Sequence, residues 1–198
     1  MTAIRMLLVL LLVLPSAVAA QWSVALELGT ARYSGASRDR SGSGDSVALR
    51  PYAATTGGVR VARQLGRVGL SLGISYGTPG IAGEATDFTF VFPSQASVFE
   101  LTPGVSYVVT GVGAGGEVRV EAGPAISLWS LAGLDRRVRI GAHAGLAYQW
   151  PVAGRLTGSV RAALAVTPSI FSASDLPSNL VRRPTWRRGV SVGVAYGL

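Results

Sequence analysis

The chain has 198 residues, with 18 Lys or Arg against 10 Asp or Glu, no cysteine and a formal net charge of +8. Hydrophobic residues make up 48% but charged residues only 14%, against ~25% in an ordinary soluble domain. Disorder is excluded by that hydrophobicity, a disulfide scaffold or thiolate metal site by the missing cysteine, and membrane-spanning helices by the lack of any apolar run of ~18 residues after the leader.

In chain order, Met1–Arg5 is a short basic segment, Met6–Leu14 an apolar run, and Pro15–Ala20 a stretch ending in small residues. This is the pattern of a secretory signal with cleavage after Ala19 or Ala20. The apolar run is too short for a spanning anchor, and no cysteine follows for lipidation. Residues 1–20 are therefore read as a cleaved signal peptide and 21–198 as one exported domain.

The exported domain alternates. Val68, Leu70, Leu72, Ile74 and Tyr76 share one parity, with Gly69, Ser71, Gly73 and Ser75 on the other. Period-two alternation is the mark of a strand. The same template fits Trp22–Tyr33, Leu49–Arg63, Ser97–Thr110, Glu117–Trp129, Val138–Trp150, Leu156–Thr167 and the C-terminal segment from Gly189, giving eight strands and almost no helix. Short turns at Gln64–Arg67, Gly111–Gly116 and Pro151–Gly154 alternate with mostly longer connections at Ser34–Ala48, Pro79–Ala96, Leu131–Arg137 and Pro168–Thr185. Such alternation predicts an all-β, eight-stranded antiparallel up-and-down barrel with two unlike rims. The similar segments Gly69–Gly77 and Gly189–Gly197 fall on strands of opposite direction, so a shared environment explains them better than duplication.

A soluble barrel would turn the Val, Leu, Ile and Tyr parity inward. That would overfill a lumen only wide enough for side chains and leave a Gly, Ser, Ala and Thr surface. Inverting it places large apolar residues against lipid. Glu27, Arg60, Glu100, Arg119, Glu121, Arg139, His143 and Arg161 then all face the lumen, where an Arg/Glu ion-pair network is expected. An arginine on the lipid side would cost about 2–4 kcal/mol at midplane. Trp22, Tyr107, Trp150 and Tyr196 fall toward the short-turn rim. Tyr33, Tyr76, Phe99, Trp129 and Trp186 fall toward the long-loop rim, as two aromatic girdles would.

Over Gln21–Leu198 this pattern resembles the small outer-membrane barrels of OmpA/OmpX type. The terminal strand carries the most specific element. Val190, Val192, Val194, Tyr196 and Leu198 resemble the C-terminal signal read by the outer-membrane assembly machinery, although the family pattern usually ends in an aromatic residue. The resemblance implies an integral outer-membrane protein, monomeric, partnered by membrane lipid, lipopolysaccharide and the assembly machinery, with no cofactor and no enzymatic activity. Three prolines fall inside strands, where a closed barrel has no edge to hide a missing N–H. Pro51 and Pro103 are expected above the membrane near the outer rim, and a bulge is expected near Gly123-Pro124.

Arg182, Arg183, Arg187 and Arg188 form the densest basic cluster. With Arg38, Arg40, Arg50, Arg136 and Arg137 they suggest a cationic outer rim suited to lipopolysaccharide phosphates, or equally a solvated charge run offset by Asp39, Asp45, Asp135 and Asp175. All 18 basic residues are arginine, and nucleic acid is not an expected partner of an exported chain. His143 is the single histidine. Outer-membrane lipid A deacylases pair a histidine with a serine two positions on, and position 145 is glycine, so a hydrogen-bonded lumen role is expected. A metal site is not, without a second histidine or cysteine. Phe88–Phe92 alternates and either extends a hairpin beyond the membrane or offers an edge strand. Thr110–Gly116 is glycine-rich but lacks the lysine and helix of a phosphate loop. The alternative functions are a lipid A-modifying enzyme and a soluble periplasmic barrel binding an apolar ligand.

Overall fold

The computed structural model describes residues 21–39, 48–84 and 89–198. The signal read over Met1–Ala20, and Arg40, Asp45 and Phe88, lie outside the described residues. The described residues form eleven strands: β1 (Gln21–Asp39), β2 (Ala48–Pro51), β3 (Ala54–Leu65), β4 (Val68–Gly77), β5 (Ile81–Glu84), β6 (Thr89–Phe92), β7 (Ala96–Val112), β8 (Gly116–Leu131), β9 (Arg137–Ala153), β10 (Leu156–Thr167) and β11 (Leu180–Gly197). Eight of them close a barrel in the order β1-β11-β10-β9-β8-β7-β4-β3, and β2, β5 and β6 form a separate three-stranded sheet. Every barrel neighbour is antiparallel, and β1 closes the ring against β11.

The alternation sorts as an inside-out barrel requires. Along β11, Val190, Val192, Val194 and Tyr196 are exposed on the outer wall, and Ser191, Gly193 and Ala195 turn inward. Leu26 at 68%, Ile140 at 64% and Leu28 at 60% are exposed far beyond what an aqueous surface tolerates in a contiguous band. Tyr76, Phe99 and Trp186 stand outward near one rim and Tyr107, Tyr148 and Tyr196 near the other. Tyr148 and Trp150 stack at 5.5 Å, and Arg63 lies 5.5 Å over the Trp22 ring.

The departures have local causes. The strand expected over Leu49–Arg63 is two strands, because Pro51 ends β2 and the chain turns at Tyr52-Ala53 before β3. Pro51 does stand off the barrel, in the small sheet opposite Ile81. Pro103 does not: it pairs with Leu72 in the middle of the wall. No bulge occurs at Gly123-Pro124; the β7–β8 irregularity falls between Val108 and Thr110. Part of each of the Ser34–Ala48 and Pro168–Thr185 connections is strand, since β1 runs on to Asp39 and β11 begins at Leu180. Their ladder slips between Gly35 and Ser37, where Gly35 and Ala36 both take positive φ. Tyr33 and Trp129, assigned to the outer girdle, face inward at 4% and 1% exposure and meet edge to face at 5.5 Å. They head an apolar cluster with Val98, Leu131, Ile170 and Phe171 in the long-loop end of the lumen.

Candidate functional site

The lumen holds its charges in two layers. In the first, Glu27 on β1 accepts from Arg60 Nε on β3 at 2.9 Å and lies 3.4 Å from Arg161 Nε on β10. Glu121 on β8 hydrogen-bonds Arg161 and lies 3.9 Å from Arg60 Nη1. Glu27 and Arg60 sit on neighbouring strands, but none of β3, β8 and β10 neighbours another in the ring, so the contacts of Glu121 with Arg60 and Arg161 brace the barrel across its bore. In the second layer, Glu100 on β7 meets Arg187 on β11 at 2.5 Å, across the full diameter. Arg187, grouped by sequence with the basic rim, is therefore a lumen residue: its parity in β11 is that of Ser191 and Gly193, not Val190. Arg119 lies toward the short-turn end, bonded to Glu117 at 2.6 Å and to Gln64.

Arg139 is in no ion pair among the described residues; its guanidinium donates to the Ser169 carbonyl at 2.5 Å. Together with Arg137 it holds the segment after β10 in the barrel mouth. Arg137 forms a forked pair with Asp175, its Nη2 reaching Oδ1 at 2.8 Å, and also donates to the Ile170 carbonyl at 3.2 Å. Ile170 and Phe171, inside this tie, are 0% and 6% exposed. The Arg137 hydrogen bonds hold the Asp175 carboxyl below the usual aspartate range. A carboxyl with a lowered folded-state value stabilises the tie fully above the ordinary ~3.9 and loses that contribution as pH falls through the folded value. Protection of the Phe171 amide, which donates to Ser169 Oγ, should thus hold from neutral pH to about 4 and fall below it, whereas Asp175→Asn should weaken it at neutral pH and remove that pH dependence.

His143, 6% exposed, closes a defect in the wall. The β7–β8 pairing stops at Leu101↔Ile126 and resumes at Val105↔Ala122 with the same count, setting Pro103 directly against Pro124. The ladders on the far sides, β4–β7 and β8–β9, run through both prolines unbroken. Both missing N–H groups therefore fall in one rung. His143, opposite Gly123 on β9, places Nδ1 3.1 Å from the Pro124 carbonyl. A carbonyl only accepts, so Nδ1 carries the proton and donates, supplying the donor that the rung lacks. The backbones are close here: a Cβ on Gly123 would fall 2.1 Å from the Pro103 oxygen. Since an unsatisfied buried acceptor costs about 1–3 kcal/mol, His143→Ala should lower stability by that amount in urea unfolding and His143→Asn by less.

On the outer face the long-loop rim is less uniformly cationic than sequence implied. Arg50 pairs with Glu84 at 2.5 Å and Arg137 with Asp175. Arg182, Arg183 and Arg188 are exposed. Arg32, absent from the sequence-based cluster, is exposed too and stands directly opposite Arg188 across the β1–β11 pair. Position parity was the available signal, because Arg32 shares the lipid-facing side with Leu26 and Leu28.

An outward apolar wall, charges turned inward and two unlike rims define the small eight-stranded outer-membrane β-barrel, and that is the fold of this chain. No family model matches the sequence, and no curated protein matches it. Among solved structures, the barrel is similar to Neisserial surface protein A, with a TM-score of 0.54 at 11% identity over 89% of this chain and 97% of that one. The N-terminal β-barrel domain of Pseudomonas aeruginosa OprF aligns with a TM-score of 0.48 at 16% identity, over 89% of this chain and 99% of that one.

Proposed function

We propose that the chain is a monomeric integral outer-membrane barrel, exported through the Met1–Ala20 leader, that acts through its outer surface and not through its bore. What supports this reading most is the division of the strands into an outer face that is apolar between its two rims and a lumen that keeps Glu27, Arg60, Glu100, Glu121, Arg161 and Arg187 paired. The bore is closed by these pairs. Above them the Tyr33–Trp129 cluster fills the mouth, and below them a cavity of ≈450 Å3 lies toward the short turns. Only water or small ions would pass. Val190, Val192, Val194 and Tyr196 on the strand that closes the ring, with Leu198 just past its end, serve as the assembly signal. The rim arginines Arg182, Arg183 and Arg188 and the β2-β5-β6 sheet carry the contacts outside, with lipopolysaccharide as the first partner and no enzymatic step.

Membrane fractionation with gel mobility before and after boiling tests the proposal. Recovery in the outer membrane, with a folded band whose mobility shifts on heating, is expected; recovery in the soluble fraction would refute it. Lipid A profiles from cells with and without the protein should be identical, and a changed acyl or phosphate pattern would favour the enzyme instead.

A further inference from the structure

Arg32 and Arg188 present an arrangement that a folded protein avoids unless something bridges it. They are cross-strand partners on β1 and β11, and like charges directly opposite one another destabilise a sheet. Both are exposed on the lipid-facing parity. Every ion pair among the described residues leaves them out. The row they share continues through Leu164 to Ala144 on β10 and β9, and the next row down the wall is Val190, Ala162 and Leu146. The two alanines recess the surface between Leu146, Leu164 and Val190, within one trough lined by Arg32 and Arg188 and, toward the small sheet, by Arg50, Tyr52 and Glu84.

Depth decides what could sit there. Ten residues separate Arg188 from the end of the chain at Leu198. At ~3.3 Å per residue and a tilt of about 40°, that spans ~25 Å, the height of the apolar band of such barrels. Arg32 and Arg188 therefore stand at the outer edge of the hydrocarbon layer. Trp186, one outward position further along, is 41% exposed as an interfacial anchor would be. Two planar forks outside every ion pair among the described residues, above an aliphatic trough at headgroup depth whose one carboxylate, Glu84, is engaged by Arg50, suit a phosphate monoester carried on acyl chains.

We infer that Arg32 and Arg188 form a two-arginine clamp for a phosphate group of the outer-leaflet glycolipid, with an acyl chain lying along the Ala144–Ala162 trough. This rests on the membrane reading above and sharpens it from a diffuse basic rim to one site on one side of the wall. The bound phosphate relieves the repulsion between the two arginines, so lipid and barrel stabilise each other there.

The test is binding of bisphosphorylated lipid A to the refolded barrel in detergent, counted by native mass spectrometry. Dephosphorylated lipid A and inorganic phosphate serve as separate arms, and heat-modifiable mobility reports folding of each variant. One lipid A per barrel is expected, with affinity reduced tenfold or more for Arg32→Gln/Arg188→Gln and less than threefold for Arg182→Gln/Arg183→Gln. Dephosphorylated lipid A should bind wild type as weakly as bisphosphorylated lipid A binds the Arg32/Arg188 variant, and inorganic phosphate alone should not compete. Full affinity in a folded Arg32/Arg188 variant would overturn the clamp while leaving the membrane reading intact. Equal binding of the phosphorylated and dephosphorylated forms by wild type would overturn headgroup recognition itself, and competition by inorganic phosphate would reassign the site to a free anion.

Discussion

Glu121→Ala is expected to lower the unfolding free energy of the barrel by about 3–5 kcal/mol, the usual cost of removing one partner of a buried ion pair. The Glu121 side chain is 4% exposed and that of Arg161, its partner, 8%. Cutting the carboxylate leaves Arg161 dependent on Glu27, which is already shared with Arg60. The penalty therefore comes from an undercompensated charge and not from lost packing. That cause has a signature: Glu121→Leu/Arg161→Leu removes both charges and should recover most of the stability, since an apolar pair of similar volume commonly replaces a buried ion pair at little cost. Urea unfolding of the refolded protein in lipid vesicles, followed by tryptophan fluorescence, measures both. A double variant as unstable as the single one would locate the loss in packing instead.

Val192→Arg should be nearly as damaging, at about 2–4 kcal/mol, for the opposite reason. Val192 sits on β11 between Leu28 and Val160, midway from Trp186 to Leu198, and is 56% exposed. On a protein surrounded by water, a charge at so exposed a position would be close to neutral, within about 0.5 kcal/mol. In hydrocarbon the same guanidinium must be dragged toward a headgroup or left unsolvated. Val192→Leu, which keeps the surface apolar, should be silent in the same unfolding experiment. The pair of results separates the two possible surroundings of the barrel without any assumption about function.

The barrel was legible because its information is periodic. Alternation along Val68–Tyr76 and from Gly189 to the C-terminus identifies strands wherever they pair, and the alternating loop lengths give their order. Parity also distinguishes three inward residues near the strand ends. Tyr33 shares the side of Glu27, Trp129 that of Glu121, and Arg187 that of Ser191, so all three turn inward although their places near strand ends suggested a girdle or a rim. Other features depend on register, which parity does not supply. From the turn pairing Val112↔Gly116, a regular ladder would set Pro124 against Gly104. The bulge between Val108 and Thr110 absorbs one residue and sets it against Pro103, so both prolines spoil one rung and His143 can mend it. Least visible was the mouth. Ile170-Phe171 lies in a segment rich in Pro, Ser and Asp that reads as solvated loop, and the grip of Arg137 on Asp175, of Arg139 on the Ser169 carbonyl and of the Ser169 hydroxyl on the Ala36 carbonyl folds it inward. The Arg32–Arg188 juxtaposition is of the same kind, since the two lie at opposite ends of the chain and meet only where the ring closes.

The central claim is that the chain is an inside-out barrel with its large apolar side chains in lipid. Since it contains no cysteine, single cysteine substitutions from position 190 to 196 can each carry a nitroxide in the refolded, vesicle-bound protein. Collisions with oxygen, which concentrates in lipid, and with a water-soluble nickel chelate then report the surroundings of each position. The account predicts high oxygen and low nickel accessibility at 190, 192, 194 and 196, with both low at 191, 193 and 195. Even-numbered positions reached by the nickel chelate and not preferentially by oxygen would contradict it.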